Sequence, residues 1–254
     1  PTFYTRLLGD NRFNRNLVEH MRLFISGSAP LLSETHIQFK KITGHKILER
    51  YGMTETNMNT SNPYNGGRRA GTVGLPLPGV ELKITDPETA KELSIDEIGQ
   101  IEVRGPNVFR GYWKMPEKTE AELRKNGFFI TGDLGKIDTD GYVHILGRDK
   151  DLIISGGYNI YPKELEEIID DQAGVLESAV IGVPHPDFGE TPIAVIVSET
   201  EITPELEAIE SNLRKSLARY KHPKKLLWID QLPRNTMGKV QKNMLREEYK
   251  SLFS

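Results

Sequence analysis

Apolar and polar positions along the 254 residues fall into three stretches of different rhythm. In the first, "MRLFISGSAPL" holds a short apolar run that breaks into Gly27 and Pro30, which predicts a buried strand ending in a loop. "SETHIQFKKITG" predicts a helix capped by Ser33 and terminated by Gly44. "HKILERYG" predicts a second buried strand, so "YGMTETNMNTS" sits where a strand ends. Ligands bind beyond the carboxyl ends of strands in open α/β sheets, which makes that loop a place to look for chemistry.

From about residue 71 the texture becomes β. "GVELKITD", "GQIEVRG", "GFFITGDLGKID" and "GYVHILGR" alternate apolar and polar residues between Gly, Pro and Asp turns, and "DTDG" before "YVHI" is a hairpin turn. After Arg148 and Lys150 a compact α+β unit begins. Pro162 opens a helix in "PKELEEIIDDQ", "ESAVIGV" and "TPIAVIVS" read as strands, and residues 204 to 218 give another amphipathic helix. "KKLLWID" is a last strand and "QKNMLREEYK" a closing helix. The pattern thus predicts an α/β region with a β-rich subdomain over 1–149, then a small α+β domain over 150–254, with no repeats and no low-complexity segments. The chain starts at Pro1 rather than Met, and "PTFYTRLLGD" reads as the middle of a helix-forming segment, so a piece of a longer protein is expected.

Composition narrows the partners. With 37% hydrophobic residues the chain can bury a real core, and a net charge of -3 argues against a general nucleic-acid or membrane-surface binder. There are no cysteines, which excludes disulfide frameworks, thiolate metal sites and cysteine nucleophiles. No apolar stretch approaches the roughly 18 residues of a membrane span, so a soluble protein of the cytoplasm, or of the mitochondrial matrix in a eukaryote, is the expectation. The partner is expected to be a small molecule.

Several residues could carry chemistry. In "YGMTET", Thr54 could hold a phosphate oxygen and Glu55 a magnesium ion, while the alternative is a strand-to-helix turn with threonine as a cap. Asp133, after Thr-Gly at a strand end, could accept both hydroxyls of a ribose or cap its own backbone. The run "GRDKDLIISGGYNIYPKELE" combines Arg148, a charged cluster, a paired glycine and a Pro-started helix, and by itself reads as an ordinary interdomain linker. Lys239, on the loop "LPRNTMGKVQK", is either solvated surface or a cation aimed at developing charge. "RKSLARYKHPKK" places six cations in twelve residues, a solvated face or a docking patch for a phosphorylated ligand. The six histidines show no metal-ligand spacing and are read as structural or exposed, and Tyr51 and Tyr158 as packing residues.

Order turns these separate signals into one. YGMTET, TGD, GR with a lysine two residues on, SGGYN-x-YP-x-E-x-E and PRN-x-x-GK succeed one another over roughly residues 26 to 242. That succession resembles the adenylate-forming superfamily of acyl-CoA synthetases, peptide-synthetase adenylation domains and firefly-type luciferases. Within it, "LERYGMTETNMNTSNP", "GPNVFRGYWKMPEKT" and "LPRNTMGKVQK" look like the malonyl-CoA synthetase branch. The fold implied is the C-terminal portion of the large adenylate-forming domain plus the small mobile C-terminal domain. The activity implied is a two-step ligation of malonate to coenzyme A through an acyl-adenylate, with ATP and Mg²⁺.

Carried over by the resemblance, Ser28, Ala29, Pro30 and Tyr51 border the adenine and acyl pocket, Gly52 and Met53 bind the nucleotide, Thr54 binds phosphate, and Glu55 holds Mg²⁺. Asp133 takes the ribose hydroxyls, Arg148 lies on the nucleotide, and Lys150 is the hinge. Lys239 serves adenylation, and the Gly156-Gly157 loop lines the pantetheine channel for thioester formation. A second carboxylate on the acid needs a buried cation, which Arg50 is suited to supply, with Arg6 a second candidate and a salt bridge of Arg50 to Glu49 the alternative. The resemblance further suggests a lysine acetyltransferase acting on Lys239. The T-S-G-T-T-G-type phosphate loop of the superfamily is absent from this sequence, so little ligase activity is expected of this chain alone. A ligase for another short-chain or dicarboxylic acid and a non-catalytic binding fragment are the alternatives.

Overall fold

A computed structural model describes the whole chain except Ser28, Pro30, residues 200–203, Met237 and Ser254; for Thr2 it describes the backbone only. The chain divides into two compact units, Pro1–Ile145 and Leu146–Ser254.

The first unit opens with α1 (Thr2–Leu8), α2 (Arg15–Val18), β1 (Ile25–Ser26), α3 (Ser33–Thr43), β2 (Leu48–Met53), β3 (Asn57–Ser61) and β4 (Leu75–Pro76). The strands form one sheet in the order β1-β2-β3-β4, with β1 parallel to β2 and the remaining pairs antiparallel. Helix α3 ends where the sequence predicts, at Gly44 with φ 79°, a left-handed conformation that glycine adopts without strain. Its start differs: Leu32 is the cap residue and Ser33 is already helical. Phe39 is fully buried and meets Tyr4 edge-on with ring centroids 5.1 Å apart, which packs α3 onto α1.

A second four-stranded sheet follows, in the order β5 (Glu81–Thr85), β6 (Gly99–Arg104), β7 (Phe129–Ile137) and β8 (Val143–Arg148), with α4 (Pro116–Glu122) between β6 and β7. Ile84, Ile101, Val103, Phe129 and Val143 form its core. The division between the two units falls inside β8.

The second unit is α+β. Strands β9 (Ile153–Ser155) and β10 (Tyr158–Ile160) form a hairpin, followed by α5 (Pro162–Asp170), β11 (Val175–His185), β12 (Gly189–Ser198), α6 (Leu206–Ser216), β13 (Leu226–Trp228) and α7 (Lys242–Tyr249). The strands make one sheet in the order β10-β9-β12-β11, and β13 pairs in parallel with β12. Both faces of this sheet are covered. Val180, Ala194 and Ile196 pack with Leu165 and Ile169 of α5 and Ile209 and Leu213 of α6. Their neighbours Ala179, Ile181, Ile193 and Val195 pack with Leu245 of α7 on the other side. Double-sided burial explains why "AVIGV" and "IAVIV" read as continuous apolar runs rather than alternating ones.

Candidate functional site

In the first unit the candidate residues gather on the β2–β3 hairpin. The sequence ends the strand at Gly52 with a loop beyond it; β2 runs to Met53, Thr54 to Thr56 form a tight turn, and "NMNTS" returns as β3. Gly52 permits this. Pairing slips between Tyr51 and Gly52, and a Cβ at Gly52 would lie 1.9 Å from the Asn57 carbonyl oxygen, so only glycine allows so close an approach. The Asn107 side-chain amide ties the turn from outside, donating to the Thr56 carbonyl at 2.7 Å and the Met58 carbonyl at 3.2 Å.

Asp133 reaches this hairpin from β7. It lies in mid-strand rather than at a strand end, and an irregularity in pairing presents it. Gln100 faces Leu134 and Glu102 faces Ile130, so β7 accommodates extra residues around Gly132, whose φ is 70°. Such bulges re-aim side chains. The Tyr51 hydroxyl donates a short hydrogen bond to Asp133 Oδ2, and both residues are buried. Tyr51 is therefore a polar partner as well as a packing residue. The Asp133 amide donates to Thr131 Oγ1 at 3.1 Å, and the Thr131 hydroxyl donates to the Ile101 carbonyl at 2.8 Å, which fixes the backbone behind the carboxylate. A carboxylate offers about four acceptor positions, so a tyrosine donor is compatible with a vicinal diol on the same group.

Glu55 acquires partners that no reading of its own motif supplies. The Tyr112 hydroxyl lies 3.1 Å from Glu55 Oε1 and 2.6 Å from Glu122 Oε2, so one phenol stands between two carboxylates. Burial, with the hydrogen bonds to Glu122 and Glu55 behind it, keeps the Tyr112 phenol protonated well beyond the usual tyrosine range. Lys118 Nζ lies 4.0 Å from the centre of the Tyr112 ring. Among the described residues no group of three or more His, Cys, Asp or Glu side chains could hold a metal. Mg²⁺ needs no such cluster, since it takes one or two carboxylates and completes its shell with water and phosphate oxygens. Glu55 with Glu122 behind it matches that donor set. Thr54 is exposed in the turn beside them.

Arg50 precedes Tyr51 on β2 and points the other way, exposed where Tyr51 is buried. Its expected alternative partner, Glu49, is buried and lies 3.1 Å from His36 Nδ1, and Arg50 forms no ion pair among the described residues. The side chain lies over Gly27, where a Cβ would come within 2.8 Å of Arg50 Cγ. Arg50 borders a pocket of about 430 Å³ whose other walls include Phe3, Leu7, Phe24 and Ile25. Arg6 does not line it. Ala29 is a half-buried residue at a bend, and Ser28 and Pro30 lie outside the described residues.

In the second unit, Gly156 and Gly157 have φ of 56° and 84° and join β9 to β10 as a two-residue turn. Positive φ at both positions is what such hairpins require. Tyr158 is exposed, stacked on Tyr220 with centroids 4.6 Å apart. The basic run is mostly committed to neighbours. Lys221 bonds to Glu164 at 2.7 Å, Arg214 to Glu210 at 2.9 Å, and Lys224 lies over the Phe188 ring. Arg148 ends β8, and Lys150 is exposed in a 3₁₀ turn, Asp149–Asp151. Lys239 is exposed on a turn whose backbone closes on Asn235, the Lys239 amide donating to Asn235 Oδ1 at 3.0 Å. Among the described residues no helix is long and apolar enough to cross a membrane.

The profile of the AMP-binding enzyme family matches residues 1–113, and that of the AMP-binding enzyme C-terminal domain matches residues 164–239. The chain is 42% identical to a probable CoA ligase, CCL8, of Humulus lupulus, over 98% of this chain and 44% of that protein. It is 40% identical to the malonate–CoA ligase of Arabidopsis thaliana, over 97% of this chain and 43% of that protein. Superposition on ATP-bound MatB from Rhodopseudomonas palustris gives a TM-score of 0.97 at 62% identity, over 100% of this chain and 50% of that one. The chain therefore spans about half the length of the proteins it matches. With both family profiles in sequence order and the hairpin, Asp133 and Lys239 motifs in place, the chain belongs to the AMP-binding, adenylate-forming enzyme family.

Proposed function

We propose that this chain is part of an ATP-dependent acid–CoA ligase that forms malonyl-CoA from malonate, ATP and coenzyme A. The observation that carries the choice of acid is Arg50. Arg50, exposed at the rim of a pocket with apolar walls and without an ion pair among the described residues, keeps its planar fork available to a ligand carboxylate. A malonate held by one carboxylate on this fork leaves the other to react. The likeness to a malonate–CoA ligase and to MatB supports the same choice.

In the first step a carboxylate oxygen of malonate attacks the α-phosphorus of ATP, and the bond to pyrophosphate breaks. Thr54 binds phosphate oxygens, and Asp133, oriented by Tyr51, accepts the ribose hydroxyls. Arg148 lies on the nucleotide. Glu55 holds magnesium, which when bound neutralises phosphate charge. Lys239 stabilises charge developing on the acid and the α-phosphate. In the second step the coenzyme A sulfur attacks the acyl carbonyl, its proton passes to solvent, and AMP leaves. The glycine turn at Gly156 and Gly157 lines the thiol's path, and Lys150, at the boundary between 1–149 and 150–254, serves as the hinge between the two steps.

The apolar walls of the Arg50 pocket favour a second reading, a ligase for a larger or differently substituted acid. Pyrophosphate release by the full-length protein with ATP, Mg²⁺ and either malonate or acetate separates the two. The proposal expects turnover on malonate well above acetate; equal rates on both acids contradict it.

A further inference from the structure

The Lys239 turn is closed by its own backbone. Asn235 N donates to the Lys239 carbonyl at 3.0 Å, Gly238 N to the Asn235 carbonyl at 2.9 Å, and Gln241 N to the Pro233 carbonyl at 2.8 Å. These bonds fix the shape of the turn and not its place on the domain. Leu232 and Val240 flank the turn and pack into the core beneath α7, and a side chain holds the tip between them. Arg234 Nη1 donates to the Gly238 carbonyl at 2.6 Å, one residue before Lys239, while Arg234 Nη2 pairs with Glu177 on β11. One planar guanidinium thus clasps the turn with one arm and a core strand with the other.

Glu177 is presented by an irregularity of its own. Val175 faces Ser198 and Glu177 faces Val197, so β11 carries one extra residue there, and the bulge turns Glu177 out of the sheet's alternation. The strand on either side is firmly seated, with Val175, Ala179 and Val180 buried.

We infer that Glu177, acting through Arg234, is a positioning residue that sets where Lys239 stands during adenylation. This rests on the proposed ligase reading for the role of Lys239, but the clasp itself does not. An ion pair at the rim of the domain, with Glu177 half-buried and Arg234 exposed, contributes modestly to global stability. A displacement of about 1 Å at a reacting group can nonetheless cost on the order of a hundredfold in rate. Arg234 suits the task because its fork holds two acceptors in fixed geometry, which a lysine cannot do.

The test has two arms. In the full-length protein, Glu177→Ala should lower kcat for adenylate formation about tenfold or more, leave KM for ATP and the melting temperature nearly unchanged, and leave thioester formation from preformed acyl-adenylate intact. Glu177→Gln, which still accepts from Arg234, should recover part of the loss. In the chain described here, hydrogen exchange at the Gly238 and Lys239 amides should speed up in Glu177→Ala with the rest of the domain unchanged. Wild-type adenylation together with unchanged exchange overturns the inference, as does equal loss of both half-reactions with a lowered melting temperature. If Lys239→Ala adenylates normally, the ligase reading of Lys239 fails instead, and exchange alone decides the clasp.

Discussion

On the β2–β3 hairpin, Tyr51 reaches a carboxylate 82 residues away and Glu55 meets a phenol 57 residues away, whereas the Lys239 turn is closed by bonds within the short run from Pro233 to Gln241. Long-range contacts carry a loop-closure cost, recovered only when the surrounding packing holds them together. The first set of residues is accordingly buried or half-buried, with each polar group tied to a partner from another strand or loop. The tip of the Lys239 turn, between the seated Leu232 and Val240, is held by local bonds and one arginine clasp and can open at little cost to the fold. On the proposed function, the groups that would grip a ligand are thus built into the first unit's scaffold, while the cation proposed for adenylation rides on a local element.

Removing Lys239 should show the contrast most sharply. Lys239→Ala is expected to slow pyrophosphate release by about a hundredfold or more, with an unchanged melting temperature, because the side chain is exposed. A clear loss of stability in calorimetry would make the turn part of the scaffold and erase the distinction. Tyr51→Phe should do the opposite. Removing a donor from the buried Asp133 carboxylate should cost about 1–3 kcal/mol in denaturant titrations and raise KM for ATP.

Tyr112→Phe probes the less obvious part of the first unit. Loss of the hydroxyl between Glu55 and Glu122 should raise the Mg²⁺ concentration for half-maximal activity by about tenfold, as partners of metal-binding carboxylates typically do. An unchanged magnesium dependence would leave Glu55 acting without help from Tyr112.

The smallest expected effect lies away from both sites, at Asp170, whose Oδ1 is sealed from solvent. Burial pushes this carboxyl from 3.8 up to about 8, with Ser178 opposing and Glu166 and Glu177 adding to the shift. The folded state therefore keeps a proton that the unfolded chain has released. Stability is full below the ordinary value of 3.8 and falls as pH rises toward about 8. Asp170→Asn should flatten that fall and gain on the order of 1 kcal/mol near pH 8 in thermal melts.

Much of the fold is legible in the sequence where local chemistry decides it. Gly44 ends α3, Pro162 opens α5, Leu165 and Ile169 bury one face of that helix, and "DTDG" turns β7 into β8. The motif residues were visible as well, since Tyr51, Thr54, Glu55, Asp133 and Lys239 stand in runs that mark the family. What stayed hidden depends on pairing. The hairpin at Thr54 to Thr56 and the bulges at Gly132 and Glu177 follow from strand register, which no local propensity encodes. Tyr112 and Glu122 lie in "GYWKMPEKTEAE", where the sequence shows an aromatic and a charged helix and nothing that points to Glu55. A phenol able to reach a carboxylate in another motif is the signal that could have found them.

The choice of acid rests on Arg50, and one ratio tests it. In the full-length protein, kcat/KM for malonate divided by that for acetate should fall by about tenfold or more in Arg50→Ala, because the charged hydrogen bonds to the second carboxylate are lost only for malonate. A ratio that stays at its wild-type value, with both acids weakened alike, would contradict the account and leave the arginine a structural role.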